Sequence, residues 1–269
     1  MTVADLEPSK LLSTICARRL GRNLEILPSC ASTNDEVAVR ARAGAEEGLL
    51  IVAEEQTSGR GRRGRTWHSP PGENLYFSLL LRPGLPASLA APVTLVAGAA
   101  LATSLKVLGF SLRLKWPNDV LLDTSHGPLK VAGILTEMAS EGDRVRHLVL
   151  GVGINVNSQS FPDDLATRAT SLCLARGQRV DRGEVLAAFV HAFEPSYDDF
   201  LANGPTAALA QWNQFALLGQ PCSVDRGRDR IEGTAEAVDE SGALLIRTAT
   251  GDLISVHAGE INWLFPSWC

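Results

Sequence analysis

Apolar positions change their spacing repeatedly along the chain, and each change marks an element. "LEIL" (24–27) and "LLIVA" (49–53) are continuous apolar runs of strand length. Between them "STNDEVAVRARAG" reads as a helix, with Thr33 and Glu36 spaced as a capping box and Gly44 as its stop. "NLYFSLLLR" (74–82) has strand composition. "LRLKW" and "DVLLD" read as strands interrupted at Pro117-Asn118, and the turn "TSHG" returns the chain into "LKVAGILTEMA" and "RVRHLVLGVGINVN". Helices are expected over about 9–20, over about 181–202 behind Asp181 and Glu184, and through "ALAQWNQF". After Gly219 short β segments alternate with Asp-Glu-Ser-Gly and Thr-Gly-Asp turns, the texture of a small barrel. The fold class is therefore α+β, with a mixed or mostly antiparallel sheet rather than alternating βαβ units. Two domains are expected, over 1–216 and 217–269.

One stretch, "ASLAAPVTLVAGAALATSL" (87–105), carries no charge. Its alanines, Pro92 and scattered Ser and Thr fit a buried core helix better than a membrane span. No membrane partner and no signal peptide are expected.

Composition narrows the function. The net charge of −5 gives no global pull toward nucleic acid or anionic lipid, so basic clusters are local features. Cys16, Cys30, Cys173, Cys222 and Cys269 are odd in number and scattered, which suits a reducing cytoplasm and neither a disulfide framework nor a zinc site. Only four of the 25 Lys and Arg residues are lysines (Lys10, Lys106, Lys115 and Lys130). In such a chain a lysine at a structured site suggests a need for a compact ammonium.

"GRGRRG" (59–64) formally matches a dinucleotide fingerprint. The match fails on context: Pro70, Pro71 and Gly72 exclude the helix that should follow, and no carboxylate stands about twenty residues on. A solvated basic loop, a site for a small phosphorylated ligand and a nucleic-acid patch all remain open. The glycines let backbone N–H groups converge on an anion, and the arginines add charge-assisted donors. In "LKWPNDVLL" (114–122), Pro117 breaks the strand and puts Asn118 and Asp119 at an irregularity facing a cleft. Asp119 suits Mg²⁺ shared with phosphate oxygens, or the pair simply caps a turn. "KVAGIL" sets Lys130 at the start of a strand, with Gly133 allowing close backbone approach. "GVGINVN" (151–157) leaves the Asn155 amide needing a partner, from backbone or ligand.

Taken in order, "STN", "EQTSGRGRRGRTWHSPPGENLYFS", "KWPNDV", "KVAGILTE", "GVGINVN" and "AGEI" resemble the biotin–protein ligases, the biotin–[acetyl-CoA-carboxylase] ligase family, from Ser32 to Glu260. The resemblance implies the biotin/lipoate ligase catalytic fold with an SH3-like C-terminal barrel. It implies that biotin and MgATP give biotinyl-5′-AMP and pyrophosphate. The biotinyl group then passes to a lysine of a biotin carboxyl carrier domain, that of acetyl-CoA carboxylase or another biotin-dependent carboxylase. The enzyme would be a monomer or homodimer.

By the same resemblance Ser32, Thr33, Asn34 and Gln56 bind biotin, whose ureido ring offers one acceptor and two donors. Arg60, Gly61 and Arg62 belong to a ligand-closing loop near biotin and the adenylate, and Gly133 lies against biotin. Lys130 and Arg62 are catalytic, Lys130 bridging the biotin carboxylate and the α-phosphate. Arg65, Trp67, Asn118, Asp119 and Asn155 take ATP, with Asp119 toward Mg²⁺.

Two departures are visible. After Gly259-Glu260 the chain reads "INWLFPSWC", with Leu264 near where some relatives carry a basic residue. Only 31 residues precede Ser32, so a ligase without a repressor's DNA-binding domain, and no DNA partner, is the expectation. A lipoate–protein ligase is the nearest enzyme alternative, although a dithiolane does not need the Ser-Thr-Asn and Gln set. A nucleic-acid-binding protein using "RGRRGR" is the non-enzyme alternative.

Overall fold

Strand-length apolar runs become the middle of a seven-stranded sheet. The computed structural model describes residues 5–225 and 230–263; Leu264 and Cys269 lie outside the described residues. In chain order the first unit runs α1 (Pro8–Ile15), β1 (Asn23–Leu27), α2 (Thr33–Arg42), β2 (Leu49–Ala53), β3 (Leu75–Leu81), α3 (Val93–Val107) and β4 (Leu112–Lys115). It continues through β5 (Asp119–Thr124), β6 (Gly127–Glu141), β7 (Arg144–Ile154), α4 (Leu172–Arg176), α5 (Arg182–Asn203) and α6 (Thr206–Phe215). The sheet order is β1-β2-β3-β7-β6-β5-β4, parallel between β1 and β2 and antiparallel elsewhere.

β2 and β3 are buried on both faces, which explains why they lack polar alternation. One face, with Leu50, Val52, Phe77 and Leu79, joins α3, α5 and α6 in the main core. The alternate residues Leu49, Ile51 and Leu80 meet Val37 and Ala41 of α2. The span Ala87–Val107 has a mean hydropathy of 1.6 and is apolar and long enough to cross a membrane, yet 72% of its window is buried inside the protein. It is the core helix expected, although it starts as a 3-10 turn before Val93.

Local differences from the sequence reading have local causes. α1 stops at Cys16, whose left-handed φ of 42° ends the helix early. Ser32, not Thr33, precedes α2, and Glu36 pairs with Arg40 at 2.8 Å instead of closing a capping box. β4 and β5 pair as a hairpin with Lys115 opposite Asp119, so Pro117-Asn118 is a chain reversal rather than a break in one strand. α4 was not anticipated from the pattern; it is a single turn capped by Ser171.

β8 (Pro221–Asp225), β9 (Arg230–Val238), β10 (Leu244–Arg247), β11 (Leu253–Val256) and β12 (Glu260–Trp263) form a second, antiparallel sheet in the order β11-β10-β9-β8-β12. Its apolar residues, including Val224, Ala235 and Ile246, are continuous with the main core. The Trp116 indole N–H donates to the Gly242 carbonyl at 3.0 Å, and Leu217 N–H to the Leu114 carbonyl at 3.0 Å.

Candidate functional site

A cavity of about 850 Å³ opens above β6 and β7, walled by the 59–67 loop, the β4–β5 turn and the edge of the C-terminal sheet. Every candidate named from the sequence lines it: Ser32, Thr33, Asn34, Gln56, Arg60, Gly61, Arg62, Arg65, Trp67, Asn118, Asp119, Lys130, Gly133 and Asn155. Its floor is backbone. A Cβ at Gly151 would stand 2.1 Å from Asn34 Oδ1, and one at Gly153 would stand 2.5 Å from the Trp67 indole nitrogen. At Gly133, the cross-strand partner of Gly153, a Cβ would be 3.1 Å from the same indole ring.

One end of the cavity is a chain of amides and hydroxyls. Gln56 Oε1 accepts from the Thr33 N–H at 2.9 Å and the Thr33 hydroxyl at 3.2 Å, while its Nε2 donates to Ser69 Oγ at 3.1 Å. Asn34 Nδ2 donates to Glu137 Oε2 at 2.6 Å. Ser78 Oγ lies 2.7 Å from Thr33 Oγ1 and 2.6 Å from Asn34 Oδ1. The sequence reading missed Ser78. Its signal was a lone hydroxyl inside "LYFSLLL", and a buried hydroxyl in such a strand needs a polar partner.

The other end is charged. Lys130 Nζ sits 2.7 Å from Asp119 Oδ1 and 5.3 Å from the centroid of the Trp67 ring. The Trp67 indole N–H is buried with no hydrogen-bond partner among the described residues. Arg62 donates to Asn118 Oδ1 at 3.2 Å, and Asn118 Nδ2 donates to the Ile134 carbonyl at 3.0 Å. Burial pushes the Arg62 pKa down, and Asp119 partly offsets this. Arg60 turns to the rim, 2.7 Å from Asp35 and 3.0 Å from Glu137. Arg65 pairs with Glu260 of β12, which raises the pKa of Arg65 and lowers that of Glu260. Asn155 Nδ2 donates to the Thr170 carbonyl at 3.1 Å, so its donor has a backbone partner.

The loop itself differs from a nest of free amides. The Gly61 N–H donates to the Arg65 carbonyl at 2.7 Å and the Trp67 N–H to the Gly59 carbonyl at 2.9 Å. The loop closes on itself around Arg63 at φ 57°, so its side chains rather than these two amides face the cavity. Lys115, Glu260 and Phe161 also line the cavity. Of these the sequence had marked Lys115 as a scarce lysine opening "KWPNDV" without giving it a role, and Glu260 by resemblance. Among the described residues no three His, Cys, Asp or Glu side chains group as a metal site.

Residues 27–155 match the biotin/lipoate A/B protein ligase family, and residues 217–262 match the biotin protein ligase C-terminal domain. The chain is 38% identical over 247 residues to the bifunctional ligase/repressor BirA of Bacillus subtilis, covering 90% of this chain and 74% of that one. It is 35% identical over 237 residues to the biotin–[acetyl-CoA-carboxylase] ligase of Paracoccus denitrificans, covering 86% and 96%. Among solved structures, the biotin protein ligase from Aquifex aeolicus in complex with biotin and ATP superposes with a TM-score of 0.76 at 30% identity, covering 90% of this chain and 98% of that one.

Proposed function

Because this chain belongs to the biotin protein ligase family, we propose that it activates biotin with MgATP to biotinyl-5′-AMP and passes the biotinyl group to a lysine of a carrier domain. The observation that carries this reading is the polarity of one cavity, with the Thr33–Gln56–Asn34 amide and hydroxyl chain at one end and the Lys130–Asp119 pair at the other. Biotin has the same polarity, a ureido ring at one end and a carboxylate at the other.

Ser32, Thr33, Asn34 and Gln56 hold the ureido ring, and Gly133, whose missing side chain makes room for the Trp67 ring and the Lys130 stem, borders the apolar part of biotin. Arg60 and Gly61 border this end, and Arg62 reaches inward with Lys130. In the first step a biotin carboxylate oxygen bonds to the α-phosphorus and the α–β bridging bond breaks. The Lys130 ammonium stabilises the charge that builds on the phosphoryl oxygens. Asp119 orients that ammonium and is also the carboxylate toward the Mg²⁺ of MgATP, a cation that takes one or two carboxylates plus phosphate oxygens. Trp67, Arg65, Asn118 and Asn155 border the nucleotide. In the second step the carrier lysine attacks the acyl carbon and AMP leaves. A closed loop excludes water from the mixed anhydride between the two steps.

The first unit, 1–216, supplies this chemistry, and 217–269 closes its rim through Glu260. The carrier is the biotin carboxyl carrier domain of acetyl-CoA carboxylase. ATP as substrate and the free thiols of Cys16, Cys30, Cys173 and Cys222 suit a reducing cytoplasm. The test incubates the protein with biotin, MgATP and that carrier domain and weighs the carrier. One added biotinyl group is expected, and none when lipoate replaces biotin. A carrier of unchanged mass with no biotin-dependent pyrophosphate release would end the reading.

A further inference from the structure

Glu137 closes the stretch "KVAGILTE" and has no part in the chemistry above. On β6 it pairs with Val149, which packs with Val37 and Ala41 of α2, so it stands on the face of the sheet that carries Asn34. Its side chain is 41% exposed and ends at two groups. The Oε2 atom accepts from Asn34 Nδ2 at 2.6 Å and from the Arg60 guanidinium at 3.0 Å. One carboxylate oxygen thus joins the 59–67 loop to a buried amide of the binding set.

A hydrogen-bond chain crosses this wall of the cavity, with Glu137 at one end and the Trp67 carbonyl at the other. Both ends are acceptors only. On the Trp67 side, Ser69 Oγ donates to that carbonyl at 3.0 Å and accepts from Gln56 Nε2 at 3.1 Å, so Gln56 turns Oε1 toward Thr33. On the Glu137 side, the carboxylate requires the amino group of Asn34. Asn34 Oδ1 therefore points back to Ser78 and takes its single proton at 2.6 Å. The Thr33 hydroxyl then gives its proton to Ser78 Oγ or to Gln56 Oε1, and either way it keeps lone pairs for a ligand. The second N–H of Asn34 is directed at the Leu135 carbonyl, 3.3 Å from the nitrogen. What Thr33 and Asn34 have left to offer is acceptors.

We infer that Glu137 is a positioning residue that fixes the orientation of the Asn34 amide, so that this wall accepts N–H groups and rejects ligand acceptors. The assignment rests on the ligase reading above. Amide oxygen and nitrogen are nearly alike in size, so packing alone does not choose between the two orientations, and the hydrogen-bond partners decide. Turned over, Asn34 would set its oxygen against the Glu137 carboxylate at 2.6 Å. The Leu135 carbonyl opposes the same turn from a longer distance. The ligand selected is a cyclic urea with its N–H groups toward the wall. A ring oxygen facing Asn34 would meet a lone pair and no proton. Arg60 also has Asp35, at 2.7 Å, so the loop keeps a tie when Glu137 is changed.

The test compares biotin with the two cyclic carbamates in which one ureido N–H is replaced by oxygen, a change of donor at nearly constant shape. Dissociation constants are measured by calorimetry for the unmodified protein, Glu137→Met, Glu137→Gln and Asp35→Asn. The unmodified protein should bind at least one carbamate about 10- to 100-fold more weakly than biotin, the cost of a buried acceptor left without its proton. Glu137→Met frees Asn34 to turn, and that ratio should fall to about threefold, chiefly because biotin is held less well. Glu137→Gln keeps an acceptor without the charge and falls between the two. Asp35→Asn breaks the other Arg60 pair and keeps the full ratio. At saturating biotin, Glu137→Met should keep kcat for biotinyl-5′-AMP formation within about threefold while KM for biotin rises. A folded Glu137→Met with the full ratio, an equal fall in Asp35→Asn, or an unmodified protein indifferent to both carbamates overturns the assignment. If Glu137→Met does not fold, the isosteric Glu137→Gln decides in the same terms. Unmodified protein that makes no biotinyl-5′-AMP from biotin and MgATP would instead overturn the ligase reading, so the two failures are distinct.

Discussion

At Gly151 a single methyl group decides the ligand. Its Cβ would occupy the place of Asn34 Oδ1, which also meets the Ser78 hydroxyl. Gly151→Ala must therefore push Asn34 off its partners. Biotin affinity measured by calorimetry is expected to fall at least about tenfold, the cost of one misplaced buried hydrogen bond. Unchanged affinity would remove Asn34 from the binding set. Lys130 makes the complementary case at the charged end. Its side chain is about one-third exposed, so Lys130→Ala should leave the thermal midpoint nearly unchanged. Pyrophosphate release should nevertheless drop by about 10²- to 10³-fold, as for loss of a transition-state donor. Release near the unmodified rate from a folded variant would exclude Lys130 from the chemistry.

Among the elements, α5 shows how a buried charge organises chain outside the site. Glu194 accepts from the backbone N–H groups of Arg18, Arg19 and Leu20 at 2.9, 2.7 and 3.0 Å, fixing the turn after α1. Burial by itself would raise the pKa of this carboxyl, but the three donors win and hold it below the usual 4.5. A depressed folded value means stability fully present above pH 4.5 and lost as pH falls through the folded pKa. Glu194→Gln should accordingly cost about 2 kcal/mol at pH 7. Denaturant melts should show that difference shrinking below pH 4.5, and a difference independent of pH would show that the ionised form is not what matters. The 59–67 loop is the other informative element. Arg62→Gly deletes the contact to Asn118, so adenylate formation should continue while biotinyl-5′-AMP escapes faster and labels bystander lysines. A bystander signal equal to that of the unmodified protein would argue against retention by the loop. The elements and the site chemistry were legible in sequence to different depths. β2 and β3 announced themselves as apolar runs, and "STN", "KWPND" and "KVAG" marked cavity residues because few side chains suit those tasks. The β4–β5 reversal stayed one of two readings because Pro117 marks both a break and a turn, and Ser78 was missed because one hydroxyl barely disturbs an apolar run.

On the scale of the whole molecule the two sheets share a core, and the loop between β2 and β3 touches both. Its tie to the C-terminal sheet is the Arg65–Glu260 pair, with side chains 64% and 33% exposed. An exposed pair contributes roughly 0–1 kcal/mol and is screened by salt. The buried core across the sheets has no such sensitivity. Ionic strength thus acts on the closure separately from the fold. As salt rises from about 0.01 M to 1 M the reach of the pair's field shrinks from about 30 Å to 3 Å. Escape of biotinyl-5′-AMP should speed up over that range while the thermal midpoint barely moves, and Glu260→Gln should weaken the response to the share left by the exposed Arg60–Asp35 and Arg60–Glu137 pairs. A ligase with its door tied by a screened charge loses its grip on the intermediate in brine well before it unfolds.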